Sequence, residues 1–373
     1  MKKICVVTSA RSEYGPLQWI IKDIDRSIDF ELQLVVTGGH LLYEQGHTID
    51  QIIKDGLKIN YIVDSKLDTS DLTSIATSMG TMASSFAVAF QKLRPDYLLI
   101  LGDRYELLPI CSTAFIMQIP IIHLSGGDVT EGVIDDGIRN AITMLASFHF
   151  PGTLDSANNI IRMRNSDKNI WVVGEPGLDS YIRESLISRQ ELAKEIGLNI
   201  SNRWGLMTYH PETKETLEYN LNVVKCCIDV LLKMENMQVV VTYANADYGG
   251  KEINKYIEMI AKKYCSKIKV IPSLGHHRYL SYMKQVEFVI GNSSSGIVET
   301  PFMNIPTINI GNRQKGRHQC KNIIQCNADY NSINNAIGKI NYQNRIVQDD
   351  KYYWGDGHSS ERIISILKST LNG

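Results

Sequence analysis

The sequence predicts an α/β fold of two Rossmann-like domains in tandem, facing a central cleft, and three observations lead there. Short β-branched runs alternate with longer amphipathic stretches almost throughout, as parallel strands joined by crossover helices require. A chain of 373 residues is long for one hydrophobic core and comfortable for two. Two apolar runs, one in each half, break off into small and polar residues, the composition of a sheet edge where ligands collect. The first is Tyr97-Leu98-Leu99-Ile100, followed by Leu101-Gly102-Asp103-Arg104. The second is Phe288-Val289-Ile290, followed by Gly291-Asn292-Ser293-Ser294-Ser295-Gly296.

The first strand is read at Ile4-Cys5-Val6-Val7-Thr8. Met1-Lys2-Lys3 precedes it, but the apolar stretch is too short for a signal peptide and turns polar at Ser9. Further strands are expected over residues 32–37, 61–63, 97–101, 119–123, 148–150 and 170–173. Helical periodicity covers residues 17–25, 72–93, 107–117 and 136–146 between them. Gly174-Glu175-Pro176-Gly177 punctuates the chain as a hinge and bounds a first domain, residues 1–177, that carries most of the candidate carboxylates. In a second domain, residues 178–354, strands are expected over 204–209, 238–242, 268–271, 288–290, 307–310 and 323–325, with crossover helices over 217–234 and 252–264. Asn and Ile enrichment near residues 331–344 predicts loose, variable packing there. After Gly355-Asp356-Gly357 the tail, residues 355–373, is helical over 359–371 and is expected to pack back on the first domain.

Composition narrows the function. Apolar residues at 43% and charged residues at 21% belong to a globular protein, not a disordered one. A net charge of -1 supplies no general attraction for nucleic acid or anionic lipid, so any phosphate is bound by local groups. No window is apolar for long enough to span a bilayer. The seven cysteines are odd in number and lack zinc-type spacing, which reads as reduced, mostly buried thiols in a cytoplasmic protein. Neither a metal site nor a cofactor is expected.

The candidate chemistry sits on both edges. Asp128, Glu131, Asp135 and Asp136 crowd the segment after His123-Leu124-Ser125-Gly126-Gly127, with a helix beginning near Asp136 and running through Arg139. Alone, that is a solvated acidic loop capping a helix. Beside Asp103 it is an acid/base site, because crowded carboxylates shift one another's pKa. On the second edge the hydroxyls of Ser293, Ser294 and Ser295, the close-approaching amide of Gly296 and a helix opening near Glu299 suit a phosphate. His210 ends the second domain's first strand and is read as a substrate or diphosphate contact, although a lone histidine is more often structural. Arg11, in Ser9-Ala10-Arg11-Ser12-Glu13-Tyr14-Gly15, can pair bidentately with phosphate. That loop fits neither GxGxxG nor GxxxxGK[ST], so nicotinamide and P-loop ATP sites are unsupported. Arg313, Lys315 and Arg317 form a second basic loop between glycines. His40 is a weaker candidate, and His276 with His277 is placed in a loop whose backbone reads the base.

At these motifs, in this order and over nearly the whole chain, the sequence resembles the hydrolysing UDP-N-acetylglucosamine 2-epimerases of bacterial sialic-acid and legionaminic-acid pathways. The shared motifs run from Ser9–Gly15 and Val36-Thr37-Gly38-Gly39-His40 through Gly102-Asp103-Arg104-Tyr105-Glu106, the Gly126-Gly127-Asp128 loop and Ile134-Asp135-Asp136 with Ile138-Arg139. They continue through His210-Pro211-Glu212, Asn292–Gly296, Gly311–Arg317 and Gly355-Asp356-Gly357 before Ser360-Glu361-Arg362. The resemblance implies a glycosyltransferase B type of fold, a homodimer or homotetramer, and a UDP-sugar as the only ligand. It gives Asp103 and Asp135 catalytic roles, with Asp128, Glu131 and His210 beside them. Arg11, Glu13, His40, Arg104, Arg139, Asn245, His276, Ser293, Ser294, Ser295, Gly296, Glu299 and Arg313 become substrate contacts. The chain departs from many members at Ser125, where they carry a catalytic Glu, so either Asp128 or Glu131 supplies that acid.

The implied reaction converts UDP-N-acetylglucosamine to N-acetylmannosamine and UDP, by elimination to a 2-acetamidoglucal and hydration, feeding sialic acid synthesis. The same chemistry on UDP-N,N'-diacetylbacillosamine is the nearest alternative, and Ser125 leans toward it. A non-hydrolysing epimerase returning a UDP-sugar shares the fold. A glycosyltransferase would need an acceptor site, and a catalytically inactive sugar-nucleotide sensor would show no turnover.

Overall fold

The computed structural model describes residues 1–245, 247–340 and 350–371, with Gln45 described through its backbone alone. In chain order the elements begin with β1 (Lys2–Thr8), α1 (Arg11–Asp25), β2 (Phe30–Thr37), α2 (Ile49–Lys54), β3 (Tyr61–Val63), α3 (Leu72–Leu93) and β4 (Tyr97–Leu101). They continue with α4 (Leu107–Ile116), β5 (Ile121–Leu124), α5 (Asp135–Leu145), β6 (Phe148–Phe150), α6 (Leu154–Arg164), α7 (Ser180–Arg183) and α8 (Arg189–Ile196). Next come β7 (Arg203–Thr208), α9 (Leu217–Leu232), β8 (Met237–Thr242), α10 (Gly250–Lys263), β9 (Ile268–Ile271) and α11 (His276–Gln285). The last are β10 (Phe288–Gly291), α12 (Ser295–Met303), β11 (Thr307–Ile310), β12 (Ile323–Cys326), α13 (Tyr330–Ile340) and α14 (Ser359–Leu371).

Two compact units result. The first comprises Met1–Val129, Ile134–Arg183 and Trp354–Gly373; the second comprises Thr130–Val133 and Glu184–Tyr353. Each holds a six-stranded parallel sheet, ordered β3-β2-β1-β4-β5-β6 in the first and β12-β11-β10-β7-β8-β9 in the second. Both are Rossmann-like, with the strand order reversing beside the first strand of the unit. That reversal, between β1 and β4 and between β7 and β10, is where an open α/β sheet offers its ligand edge.

In the first unit the sheet is buried on both faces. Along β1, Ile4 and Val6 enter one apolar cluster while Cys5 and Val7 enter another, as a strand's two-residue period dictates. This is why its strands read as continuous apolar runs rather than alternating ones. One cluster packs α1 and α14 on the sheet, and the other packs α3 and α4. Each fully buried Ile, Leu or Val side chain contributes about 1.5–3 kcal/mol. Ile363, Leu367 and Leu371 line one stripe of α14 and meet Leu17, Ile20 and Ile24 in that core. The second unit repeats the plan, with α9, α10 and α13 supplying the apolar faces.

Several expectations are corrected. No strand forms over residues 170–173; Ile170 makes one isolated bridge with His149. Pro151 has no N–H to extend that pairing, and Gly174 then turns the chain with φ +87°. Strand β5 starts at Ile121 rather than residue 119, because Ile119 donates back to Ala114 at the end of α4 and Pro120 cannot donate. Helix α1 starts at Arg11, ahead of its apolar stripe, because the Glu13 carboxylate accepts the Ser9 and Ala10 N–H groups. Residues 330–340 are a packed helix with Ile333, Ala336 and Ile337 buried, not a loose stretch; residues 341–344 lie outside the described residues. His276 is the first residue of α11 rather than part of a loop. No helix among the described residues is long and apolar enough to cross a membrane. The cysteines are unbridged, with Cys265 exposed and Cys226 half-buried.

The return of the chain's end to the first unit is fixed by one carboxylate. Asp179 is fully buried and accepts N–H bonds from Ser359 at 2.9 Å and Ser360 at 2.7 Å, as well as the Ser360 hydroxyl. It thus caps α14 from a distant segment. Asp179→Ala leaves buried donors without an acceptor and is expected to destabilise the first unit by about 2–4 kcal/mol. Urea unfolding followed by circular dichroism reads this directly, and an unchanged midpoint would remove Asp179 from that role.

Candidate active site

The first unit's edge is organised around a buried cation. Arg139, on the face of α5 toward the sheet, is 1% exposed. Its Nη2 donates to Asp103 Oδ2, and its Nη1 donates to the Asp128 carbonyl at 2.8 Å and to Asp136 Oδ1 at 3.4 Å. Burial works against the guanidinium's charge, but Asp103, Asp128 and Asp136 more than offset it and hold its pKa above the ordinary value. Asp103 follows β4 through Gly102, whose φ is +87°. Asp128 follows β5 through Ser125, Gly126 and Gly127, and its Oδ1 accepts from Ser156 Oγ at 2.6 Å. Asp135 opens α5 and is buried.

Behind these carboxylates His123 is a strut. Its Nε2 lies 2.8 Å from the Gly102 carbonyl, so that nitrogen carries the proton, and its Nδ1 lies 3.3 Å from Thr143 Oγ1. Burial, then Arg139, lowers its pKa to about 4. A Cβ at position 126 would stand 2.9 Å from its ring, so the first glycine of the pair is a steric requirement.

At the reversal between β1 and β4 a second group packs inward. Arg104 forks onto Glu106 with Nε and Nη2 each 3.2 Å from a carboxylate oxygen. Glu13, 2% exposed, receives Ser9 N–H at 2.5 Å, Ala10 N–H at 3.3 Å and Ser9 Oγ at 3.0 Å. Burial, then Glu106, pushes its pKa up to about 8 against those donors and Arg104. His40 is likewise enclosed, with Nε2 2.9 Å from Thr8 Oγ1 and Nδ1 2.7 Å from Thr48 Oγ1. Arg11 is half-buried at the start of α1.

The second unit's edge is organised around an amide. Asn292, 1% exposed, accepts the His210 N–H at 2.7 Å and donates Nδ2 to the His210 carbonyl at 2.8 Å. Its own carbonyl receives Arg313 Nη1 at 3.2 Å and Gln314 Nε2 at 2.9 Å. His210 Nδ1 accepts the Asn245 N–H at 3.0 Å, which leaves the neutral ring's proton on Nε2. Tyr279 Oη lies 2.6 Å from Ser295 Oγ, and Ser293 Oγ lies 3.1 Å from the same oxygen. These hydroxyls, with Ser294 and Gly296, stand at the N-terminus of α12, whose dipole favours an anion, while the Gly296 N–H is engaged with the Ser293 carbonyl at 3.1 Å. Glu299, one turn further along α12, is half-buried.

Not every candidate joins these groups. Glu131 belongs to the second unit, is exposed, and pairs with Lys315 Nζ at 2.8 Å. His276 Nε2 lies 3.9 Å from Glu184 Oε1. Other participants escaped the sequence: Asn292, Ser156 and His123 support the loops, and Glu175 receives the Ser125 hydroxyl at 2.7 Å. Donor atoms of His318, Cys320 and Asp350 lie within 4.8 Å of one another, a grouping invisible to local spacing because Asp350 is far along the chain.

Comparison with known proteins gives a consistent picture. The family described as UDP-N-acetylglucosamine 2-epimerase matches residues 22–368. The chain is 35% identical to a GDP/UDP-N,N'-diacetylbacillosamine 2-epimerase (hydrolyzing) of Campylobacter jejuni, over 91% of this chain and 87% of that protein. It is 30% identical to a UDP-N,N'-diacetylbacillosamine 2-epimerase (hydrolyzing) of Legionella pneumophila, over 99% of this chain and 96% of that one. Its fold is similar to a crystal structure of UDP-GlcNAc 2-epimerase from Neisseria meningitidis bound to UDP-GlcNAc, with a TM-score of 0.81 at 15% identity, covering 99% and 100% of the two chains.

The buried histidines give the first unit an acid sensitivity of defined sign. Burial, then Arg164 and His123, lowers His149 to about 3, from an ordinary value of 6.5. The unfolded chain therefore takes up a proton below about pH 6.5 that the folded chain refuses, and the stability this group contributes is lost as pH falls. His149→Phe removes that group. Between pH 7 and pH 5 the wild type is expected to lose more stability than the variant, by roughly 1.4 kcal/mol per pH unit at the steepest. Parallel urea curves at both pH values would contradict a neutral, buried His149.

Proposed function

The chain belongs to the UDP-N-acetylglucosamine 2-epimerase family, and we propose that it is a hydrolysing member, converting a UDP-2-acetamido sugar to UDP and the free 2-epimer. The observation that carries this reading is the convergence of Asp103, the Asp128 loop and Asp136 on one buried guanidinium at a sheet's ligand edge. Inversion at C2 needs one group to remove a proton and another to return it on the opposite face.

The steps balance without an oxidant. The C1–O bond breaks with its electrons leaving on UDP, and the oxocarbenium-like centre acidifies the C2 proton. A carboxylate removes that proton, giving a 2-acetamidoglucal. Water then adds at C1, giving up one proton to a carboxylate, while a carboxylic acid delivers a proton to C2. Asp103 and Asp135 are assigned as the acid/base pair, with Asp128 completing the set; among the two acids considered for the place of Ser125, Asp128 shares the unit of Asp103 and Glu131 does not. His210 Nε2–H, Arg11, Arg313 and the Ser293–Gly296 turn are assigned to the departing diphosphate, whose developing charge they stabilise. Glu13 and His40 are assigned to support rather than contact, since their polar atoms are engaged within the fold.

The substrate we favour is UDP-N,N'-diacetylbacillosamine, the sugar named for both relatives described above. UDP-N-acetylglucosamine, named in the family's description, is the second reading.

Incubation with each sugar nucleotide in heavy water separates the outcomes. Release of UDP with a free 2-epimer carrying one deuterium at C2 is expected, faster with the diacetylated sugar. A product that is still a UDP-sugar would overturn the hydrolytic assignment, and no turnover of either would overturn the enzyme reading.

Asp103→Asn keeps the shape and loses the base. Its kcat is expected to fall by about 10²–10⁴-fold while UDP affinity, measured by calorimetry, is retained. Unchanged turnover would remove Asp103 from the chemistry.

A further inference from the structure

Glu175 lies in the Gly174-Glu175-Pro176-Gly177 run, which the sequence offered only as a hinge. In the fold its Oε2 accepts the Ser125 hydroxyl at 2.7 Å, across fifty residues of chain. Ser125 sits in the left-handed region at φ +56°, a conformation that a side chain disfavours and glycine adopts freely. The next residues have no latitude to absorb a change. A Cβ at Gly126 would meet the His123 ring, and one at Gly127 would overlap the Ser156 carbonyl. Asp128 follows at once, anchored to Ser156 Oγ and, through its carbonyl, to Arg139.

The Glu175 backbone is held on both sides. The Glu175 N–H donates to the Trp354 carbonyl at 2.7 Å, and its carbonyl accepts from Leu178 N–H at 3.1 Å. Gly174 nestles against Gly355 and Ser359, the start of α14 that Asp179 caps. Gly152, just past β6, leaves the space the carboxylate fills: a Cβ there would overlap it. Both Ser125 and Glu175 are half-buried.

We infer that Glu175 is a positioning residue for the proton-transfer site: its carboxylate holds the Ser125 hydroxyl, and with it the left-handed turn that aims Asp128. This rests on the proposed reaction for its kinetic consequence, though the turn itself is a property of the fold.

The test compares wild type with Glu175→Ala, Glu175→Gln, Gly152→Ala and the double variant Glu175→Ala with Ser125→Gly. Steady-state kinetics use whichever UDP-sugar the wild type turns over, and amide hydrogen exchange is followed over residues 123–130. Glu175→Ala is expected to lower kcat by about tenfold or more, with KM and UDP affinity unchanged, and to speed exchange in that loop. Glu175→Gln keeps an oxygen for the Ser125 hydroxyl and is expected to stay within about threefold of wild type. Gly152→Ala, which displaces the carboxylate without altering it, is expected to reproduce Glu175→Ala.

The decisive arm is the double variant. Glycine at position 125 adopts the turn unaided, so it is expected to restore both kcat and slow exchange to Glu175→Ala. Wild-type kcat and exchange in Glu175→Ala would overturn the inference. So would a double variant that stays slow, since that would make Glu175 a chemical participant. If Glu175→Ala does not fold, Gly152→Ala with Ser125→Gly asks the same question. An inactive wild type would defeat the proposed reaction, while the exchange data would still decide for or against the turn.

Discussion

The arrangement of the first unit depends on a single buried cation. A guanidinium withdrawn from water carries a desolvation penalty of several kcal/mol, and it is tolerated only where carboxylates and carbonyls surround it. Arg139 meets this condition with groups from three places: the end of β4, the loop after β5 and the first turn of its own helix. Its need for partners is therefore a geometric demand on those segments. Asp103 and the Asp128 carbonyl are drawn to one side chain, which sets the spacing of two acids that the sequence alone leaves as neighbours by strand order.

Neutral groups complete what the cation begins. His123 cannot carry charge at ordinary pH in so dry a place, so it serves as a rigid donor to the Gly102 carbonyl, just ahead of Asp103. Its ring also excludes a side chain at position 126. The paired glycines are thus explained twice over, by the positive φ of Gly127 and by the ring beneath Gly126. A charged histidine here would repel Arg139, so the two groups constrain each other's protonation as well as their positions.

Much of this was legible in the sequence, and what was not has identifiable causes. The strands at Tyr61–Val63, Tyr97–Leu101, Ile268–Ile271 and Thr307–Ile310 are apolar runs with sharp polar ends, and their limits coincide with expectation. The run at residues 170–173 looks the same but faces Pro151, a fact about its neighbour rather than itself. Asn-rich composition hid α13, although Ile333, Ala336 and Ile337 keep helical spacing. The start of α1 was hidden because a cap, not an apolar stripe, defines it. At the site, Asp103, Asp128 and His210 are visible because they lie in the loops that directly follow strands. Glu175 and Asp179 act on residues far along the chain, and no local pattern announces such a partnership.

The two sheet edges carry polar groups of different charge. An anion set among Asp103, Asp128 and Asp136 would meet three carboxylates that the one Arg139 guanidinium balances only in part, and at short range each like-charge pair costs on the order of 4 kcal/mol at an effective dielectric of 20. At the second sheet's edge the polar groups beside a helix N-terminus are neutral: the His210 ring and the hydroxyls of Ser293, Ser294 and Ser295. Neutral donors suit a leaving group better than fixed cations alone, because they stabilise charge as it develops without binding every anion tightly beforehand. With a net charge of -1 the chain has no broadly basic surface, so the proposed function leaves anion recognition to local dipoles and a few placed arginines.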